Sequence, residues 1–157
     1  MKLFKKNIFL IMVAFLALPT VVWGVSQVSV QKASLTVNVI GIASNEGSIR
    51  AALYNNQAAF EYKKDPAQYI YQKAMAGIKN QQATLTFSNL PYGVYAIKLF
   101  HDKDNSEIFK RNLLGVPQEG FGVSDNPKID HHSPTFDQTK FVINQPKMNI
   151  TINMINP

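Results

Sequence analysis

The sequence predicts an all-β fold, a single antiparallel two-sheet sandwich of the immunoglobulin or prealbumin kind, with about seven strands and one long structured loop. Three observations carry that reading. Several short segments alternate apolar and polar residues with period two, clusters of Gly, Pro, Asn and Ser separate them, and little of the chain has the spacing of a helix.

Ser34 to Ile42 sets Leu35, Val37 and Val39 on one face against Thr36 and Asn38 on the other, the pattern of a half-buried strand. A turn at Ser44-Asn45-Glu46-Gly47 leads into Ser48 to Tyr54, with Ile49, Ala51 and Leu53 inward, and the two runs read as a first hairpin. Asn55 or Asn56 then suits the cap of a short helix carrying Ala58, Ala59 and Phe60, and Pro66 ends it. Tyr69 to Ile78 mixes signals: Ala74, Met75 and Ala76 favour a helix, but Lys79-Asn80 and the strand-like Gln82 to Phe87 favour two arms of another hairpin. The clearest turn is Asn89-Leu90-Pro91-Tyr92-Gly93, where glycine offers a position free of Cβ restrictions. Val94 to Phe100 leaves it as a strand with Tyr95, Ile97 and Leu99 on one face. Thr139 to Ile143 and Met148 to Ile155 complete the set, the last with Met148, Ile150, Ile152 and Met154 on one face. Asn149-Ile150-Thr151 matches a glycosylation acceptor, but its place inside a strand makes it an ordinary alternating segment.

The chain begins with Lys2, Lys5 and Lys6, an unbroken apolar run from Ile8 to Leu18, and small residues around Val22 and Gly24. That order is a signal peptide over residues 1–24, with Val25 as the mature start, a linker over 25–34 and the sandwich over 35–157. The expected location is outside the cytoplasm, periplasmic or extracellular; retention of the apolar run as an anchor is the alternative. Three of the 16 basic residues lie in that leader, which leaves 13 against 10 acidic ones and a net charge of +3 for the domain. So small an excess gives no nucleic-acid footprint, and leaves only a weak attraction to anionic surfaces. With no cysteine, disulfides, thiol nucleophiles and zinc thiolates are excluded, and stability has to come from an ordinary core.

Between the strand ending at Phe100 and the C-terminal strands lies His101 to Asn126, a polar stretch punctuated by Gly and Pro that is too long for a plain connection. A ligand or partner is expected to meet this loop at His101, Asp102, Asp104, Asn112, Glu119, Phe121 and Ser124, with Phe109, Phe121 and Tyr92 as aromatic anchors. The alternative is a calcium or other metal site at Asp102, Asp104 and Glu107, whose carboxylates suit a hard cation. The bland reading is that the Asp and Asn side chains bind the loop's own backbone amides.

No catalytic constellation stands out. Gly122-Val123-Ser124 begins like a nucleophile elbow but lacks the second glycine, and the adjacent His131 and His132 point apart in an extended segment. A non-enzymatic domain is therefore expected, with no obligatory cofactor, and with a protein, a saccharide or a small molecule as its partner. A third reading, binding to a membrane surface, rests on the basic pairs Lys63-Lys64 and Lys110-Arg111.

The series Asn89-Leu90-Pro91-Tyr92-Gly93-Val94-Tyr95-Ala96, His101-Asp102, Asn112-Leu113-Leu114-Gly115-Val116-Pro117, Glu119-Gly120, Gly122 and Ser124 resembles the secreted bacterial domain-of-unknown-function family 2141. The resemblance runs from about Leu35 to Ile155 and implies an exported single-domain β-sandwich with the 101–126 segment as its hallmark. Members of that family carry a loop reading His-Asp-x-Asn-x-Asn-Gly-x-x-Asp-x-Asn. This chain departs from it at Glu107, where the glycine would stand, and at Lys110, where a carboxylate would, and both changes oppose a cation site.

Overall fold

The computed structural model describes residues 29–61, 66–130 and 132–157. The leader, Lys63, Lys64 and His131 lie outside the described residues. In chain order the strands are β1 (Lys32–Ile40), β2 (Ser48–Tyr54), β3 (Gln72–Gly77), β4 (Ala83–Pro91), β5 (Gly93–Asp102), β6 (Phe121–Val123), β7 (Phe141–Ile143) and β8 (Lys147–Asn153). Two short helices, α1 (Gln57–Glu61) and α2 (Phe136–Thr139), and a 3-10 turn at Pro66–Tyr69 complete the elements. The all-β sandwich is what the alternation predicts. One sheet has the order β4-β1-β8; the other has β3-β2-β5-β6, with β7 also pairing β5. All pairs are antiparallel except β1 with β8, which is parallel.

The inward positions form one core. Leu35, Val37 and Val39 of β1, Leu85 and Phe87 of β4 and Ile152 of β8 face Ile49 and Leu53 of β2 and Ile97 and Leu99 of β5, all essentially without exposure. Burying a side chain of this size contributes about 1.5–3 kcal/mol, so the alternation itself selects the layer arrangement.

Strand partners differ from the expected hairpins. β1 and β2 sit in opposite sheets, and residues 41–47 arch across the core between them. β3 and β4 are joined by a tight turn in which Lys79 and Gln82 exchange backbone hydrogen bonds of 2.9 and 3.1 Å, and Asn80 and Gln81 take φ of 53° and 57°. Beyond that turn the arms part: β3 pairs with β2, and β4 pairs with β1. The β2–β3 ladder has six partners and the β1–β4 ladder seven.

Other boundaries also move. β1 starts at Lys32, inside the expected linker, and the strand expected over Tyr69 to Ile78 contracts to β3. Thr139 ends α2 rather than beginning a strand; Thr135 and Gln138 close a reciprocal capping box in front of it. At the Asn89-to-Gly93 turn the left-handed residue is Asn89, φ 58°, and not the glycine. Asn89 falls where the β1–β4 register shifts, between Ala33 and Leu35, so the strain is that of a bulge. Asn56 is the residue that caps α1, its Oδ1 accepting from the Ala59 amide at 2.9 Å.

Candidate functional site

The expected loop is in fact three pieces. His101 and Asp102 finish β5, residues 103–120 form the excursion, and Phe121 to Val123 return as β6 along the same edge of β5. β7 occupies the rest of that edge, paired with Gly93 to Tyr95, which leaves a gap at Ile97. Ser124 fills the gap. Its hydroxyl accepts from the Ile97 amide at 2.8 Å and donates to the Thr139 carbonyl at 2.5 Å, while its own amide donates to the Ile97 carbonyl at 3.1 Å. With no exposure, Ser124 is a structural stitch.

Asp102 has the same kind of role. Its carboxylate is fully buried and accepts from the Ser106 amide at 2.9 Å, the Glu107 amide at 3.0 Å and Arg50 Nε at 2.5 Å. These bonds hold a turn in which Asn105 and Glu107 have φ of 56° and 65°. Beside it Gly47 has φ 70°, and a Cβ there would lie 2.1 Å from the Asp102 carbonyl oxygen, so only glycine fits. His101 is buried with Nε2 2.7 Å from the Glu46 carbonyl oxygen. Glu119 accepts from the Lys110 amide at 3.0 Å, and Asn112 Oδ1 accepts from the amides of Leu114 and Val116. Five of the seven expected contact residues therefore spend polar atoms on the protein's own backbone: Asp102, Asn112 and Glu119 on the excursion, His101 on Glu46 and Ser124 at the strand gap.

The acidic groups expected to form a metal centre divide. One oxygen each of Asp102, Asp104 and Glu119 lies within 4.8 Å of the others, whereas Glu107 turns to Arg50 Nη2 at 3.1 Å. Protein cations already serve the trio: Arg50 pairs with Asp102, and the Lys110 ammonium binds Asp104. That hydrogen bond, with the one from Ser106, lowers the Asp104 pKa to about 2. Lys110, read from the sequence as standing where a carboxylate belongs, thus supplies positive charge at the position a cation would take.

What the excursion does build is a roof. Phe109 stands between Phe100 of β5 and Phe121 of β6, with ring centroids 5.6 and 6.1 Å away, and the Arg111 guanidinium lies 4.7 Å from the Phe109 ring. Tyr92, the third expected anchor, packs against the main core instead. Under the roof, over the outer face of the larger sheet, is an open cleft of about 970 Å³. Ile70 and the segment with Ile129, Asp130 and Pro134 also line it. Beyond it, α1 and α2 make a second apolar cluster of Tyr54, Ala59, Phe60, Ala96 and Phe136 on that same face.

Strand register lays out the cleft floor in two rows. Met75, Arg50, Phe100 and Phe121 are successive cross-strand partners on β3, β2, β5 and β6; one step along, Lys73, Ala52, Lys98 and Val123 are the next. All eight line the cleft. Lys98 extends toward α1, where its Nζ lies 4.0 Å from the Phe60 ring centroid and donates to the Phe60 carbonyl. Burial, reinforced by Arg111 and opposed by Glu61, brings its pKa down to about 8. Glu107 and Asp130 are the carboxylates of the lining. The first pairs with Arg50, and the second accepts from the His132 amide at 2.9 Å. Among the described residues Lys73, Lys98 and Arg111 have no ion pair.

With this geometry in view, one comparison with known proteins is informative: residues 37–151 match the family described as an uncharacterized protein conserved in bacteria (DUF2141). The chain belongs to that family. No curated protein and no solved structure matches it. Membership in DUF2141 brings no assigned chemistry, so the site has to be read from the residues. Of those named from the sequence, Phe109 and Phe121 among the anchors, Glu107 among the acidic groups and Arg111 of the basic pair line the cleft; Arg50, Lys73 and Lys98 were missed. A signal for them existed, since each occupies an outward strand position where the other sheet carries short neutral side chains such as Thr36, Asn38, Thr84 and Thr86.

Proposed function

We propose that this is an exported, non-enzymatic binding domain whose ligand occupies the cleft between the 103–120 excursion and the outer face of the larger sheet. The carrying observation is the cleft itself: about 970 Å³, within the range of small-molecule sites, with an aromatic wall of Phe100, Phe109 and Phe121 and a few placed charges. Export is supported by the basic, apolar and small-residue order of the first 24 positions. The excursion supports binding as a rigid wall, because Asp102, Asn112 and Glu119 fix its backbone at both ends.

Titration with the neutral fluorophore N-phenyl-1-naphthylamine tests the reading. Its emission should rise and saturate with one site per chain, and Ala52→Phe, which fills the floor, should remove most of the signal while circular dichroism stays unchanged. Absence of saturable binding, or binding indifferent to Ala52→Phe, contradicts it.

A further inference from the structure

The rows of the cleft floor differ in chemistry, and this difference bears on the class of ligand. The row Met75, Arg50, Phe100 and Phe121 is apolar apart from Arg50, whose guanidinium is engaged by Asp102 and Glu107. In the row beside it the small Ala52 stands between Lys73 on one neighbouring strand and Lys98 on the other. Adjacent strands are about 4.8 Å apart, so the two lysine stems rise roughly 10 Å from each other across a methyl group. That leaves room for a compact group between them. Arg111, from the roof, lies close enough to Lys98 to depress its protonation and adds a third cation to the same end. No carboxylate is paired with any of the three among the described residues.

We propose that the cleft binds an amphiphile with an anionic head, the head seated over Ala52 between Lys73 and Lys98 and the apolar body lying along Met75, Phe100 and Phe121. The inference rests on the binding reading above and deepens it. Lys73 gains a charge-assisted partner and Lys98 an anionic one beside the Phe60 carbonyl it already meets, and an apolar chain covers aromatic surface that the roof leaves open. A ligand lacking the head leaves the exposed Lys73 and Arg111 to water and gives the partly buried Lys98 no counter-charge.

Calorimetric titration of the full mature domain with decanoate, decanol and decyltrimethylammonium, all below their aggregation limits, distinguishes the outcomes. Decanoate should bind at least about tenfold more tightly than decanol, and the cation more weakly than either. Lys98→Met, which keeps the apolar stem, should cost decanoate about tenfold and leave decanol unchanged. Lys73→Met, at an exposed position where folding is not at stake, should act in the same direction. Between pH 7.5 and 9 decanoate affinity should fall in the wild type as Lys98 loses its proton, and fall less in Lys98→Met. The other charged or titratable groups facing Lys98 are Tyr54 of β2, Glu61 of α1 and Arg111, with Lys73, Asp130 and His132 elsewhere in the cleft.

Equal affinity for decanoate and decanol overturns the anionic head while leaving the cleft as a binding site; failure of all three to bind overturns both. Inorganic phosphate binding as tightly as decanoate would show that the body contributes nothing, and would also overturn the proposal. So would co-sedimentation with phosphatidylglycerol vesicles that is lost on Leu113→Ser and kept on Lys98→Met, since it would assign the basic excursion to a membrane surface.

Discussion

The two sheets are alike on their inner faces and unlike on their outer ones. Inside, both present Leu, Ile, Val and Phe at alternate positions and share one core. Outside, the β4-β1-β8 sheet shows Thr36, Asn38, Thr84, Thr86, Asn149 and Thr151, short neutral groups that ask for nothing beyond water. The β3-β2-β5-β6 sheet shows Arg50, Lys73, Met75, Lys98, Phe100 and Phe121 and is roofed by the excursion and by α1 and α2. Part of the aromatic surface on that side is covered by the chain itself, through Phe109 of the excursion. The cleft is the part left uncovered.

Perturbing the roofed face should therefore cost far more than perturbing the bare one. The largest effect is expected for Asp102→Ala, which strips two amides and Arg50 of a fully buried carboxylate; chemical denaturation should report a loss of about 3 to 5 kcal/mol. Thr84→Ala on the bare face should stay within about 0.5 kcal/mol. Equal costs would erase the contrast. Ser124→Ala comes next. It orphans the Ile97 amide and the Thr139 carbonyl at the gap between β6 and β7, for about 2 to 4 kcal/mol.

A smaller, directional effect concerns pH. Lys98 has a folded pKa near 8, below the ordinary lysine value of 10.5, so the unfolded chain holds more protons between those limits. Lys98 thus makes stability rise with pH through that window, by an amount reduced by its partial exposure. Near pH 10 the trend should reverse, because burial raises Tyr54 and Tyr95, the latter to about 12, and the unfolded tyrosines ionise first. Melting temperatures from pH 7.5 to 10.5 should trace this rise and fall in the wild type, and Lys98→Met should flatten the rise. The smallest expected effect is from calcium: with Lys110 on Asp104 and Arg50 on Asp102, millimolar calcium should leave the melting temperature unmoved, and a clear rise would instead favour a metal-dependent module.

Much of this contrast was legible in the chain. Period-two runs such as Leu35-Val37-Val39 and Ile49-Ala51-Leu53 specify which side chains are inside, because a slip of one residue would expose them all. The same runs do not say which strand pairs with which, and the arch over 41–47 and the parting of β3 from β4 were hidden for that reason. Pairing is decided by contacts between residues far apart in sequence. β6 was missed because Phe121-Gly122-Val123 is short and contains a glycine that disfavours strands in isolation. It is ordered by its edge position on β5, and Gly122 is needed there because a Cβ would lie 2.8 Å from Ile152 Cγ2.

For the site, the polar residues Asp102, Asn112, Glu119 and Ser124 stand out in the sequence, but composition alone could not separate groups that hold a loop from groups that meet a ligand. Buried polar atoms with complete partners do the first. Arg50, Lys73 and Lys98 became visible only when the register set three strands side by side.

The central claim, that one outer face binds and the other does not, is tested most directly by amide chemical-shift mapping during titration with a neutral naphthylamine probe. The account predicts shifts concentrated at Arg50, Ala52, Lys73, Lys98 and Phe100, with Thr36, Asn38, Thr84 and Thr86 silent. Shifts centred on the second group, or spread evenly over both sheets, would contradict it.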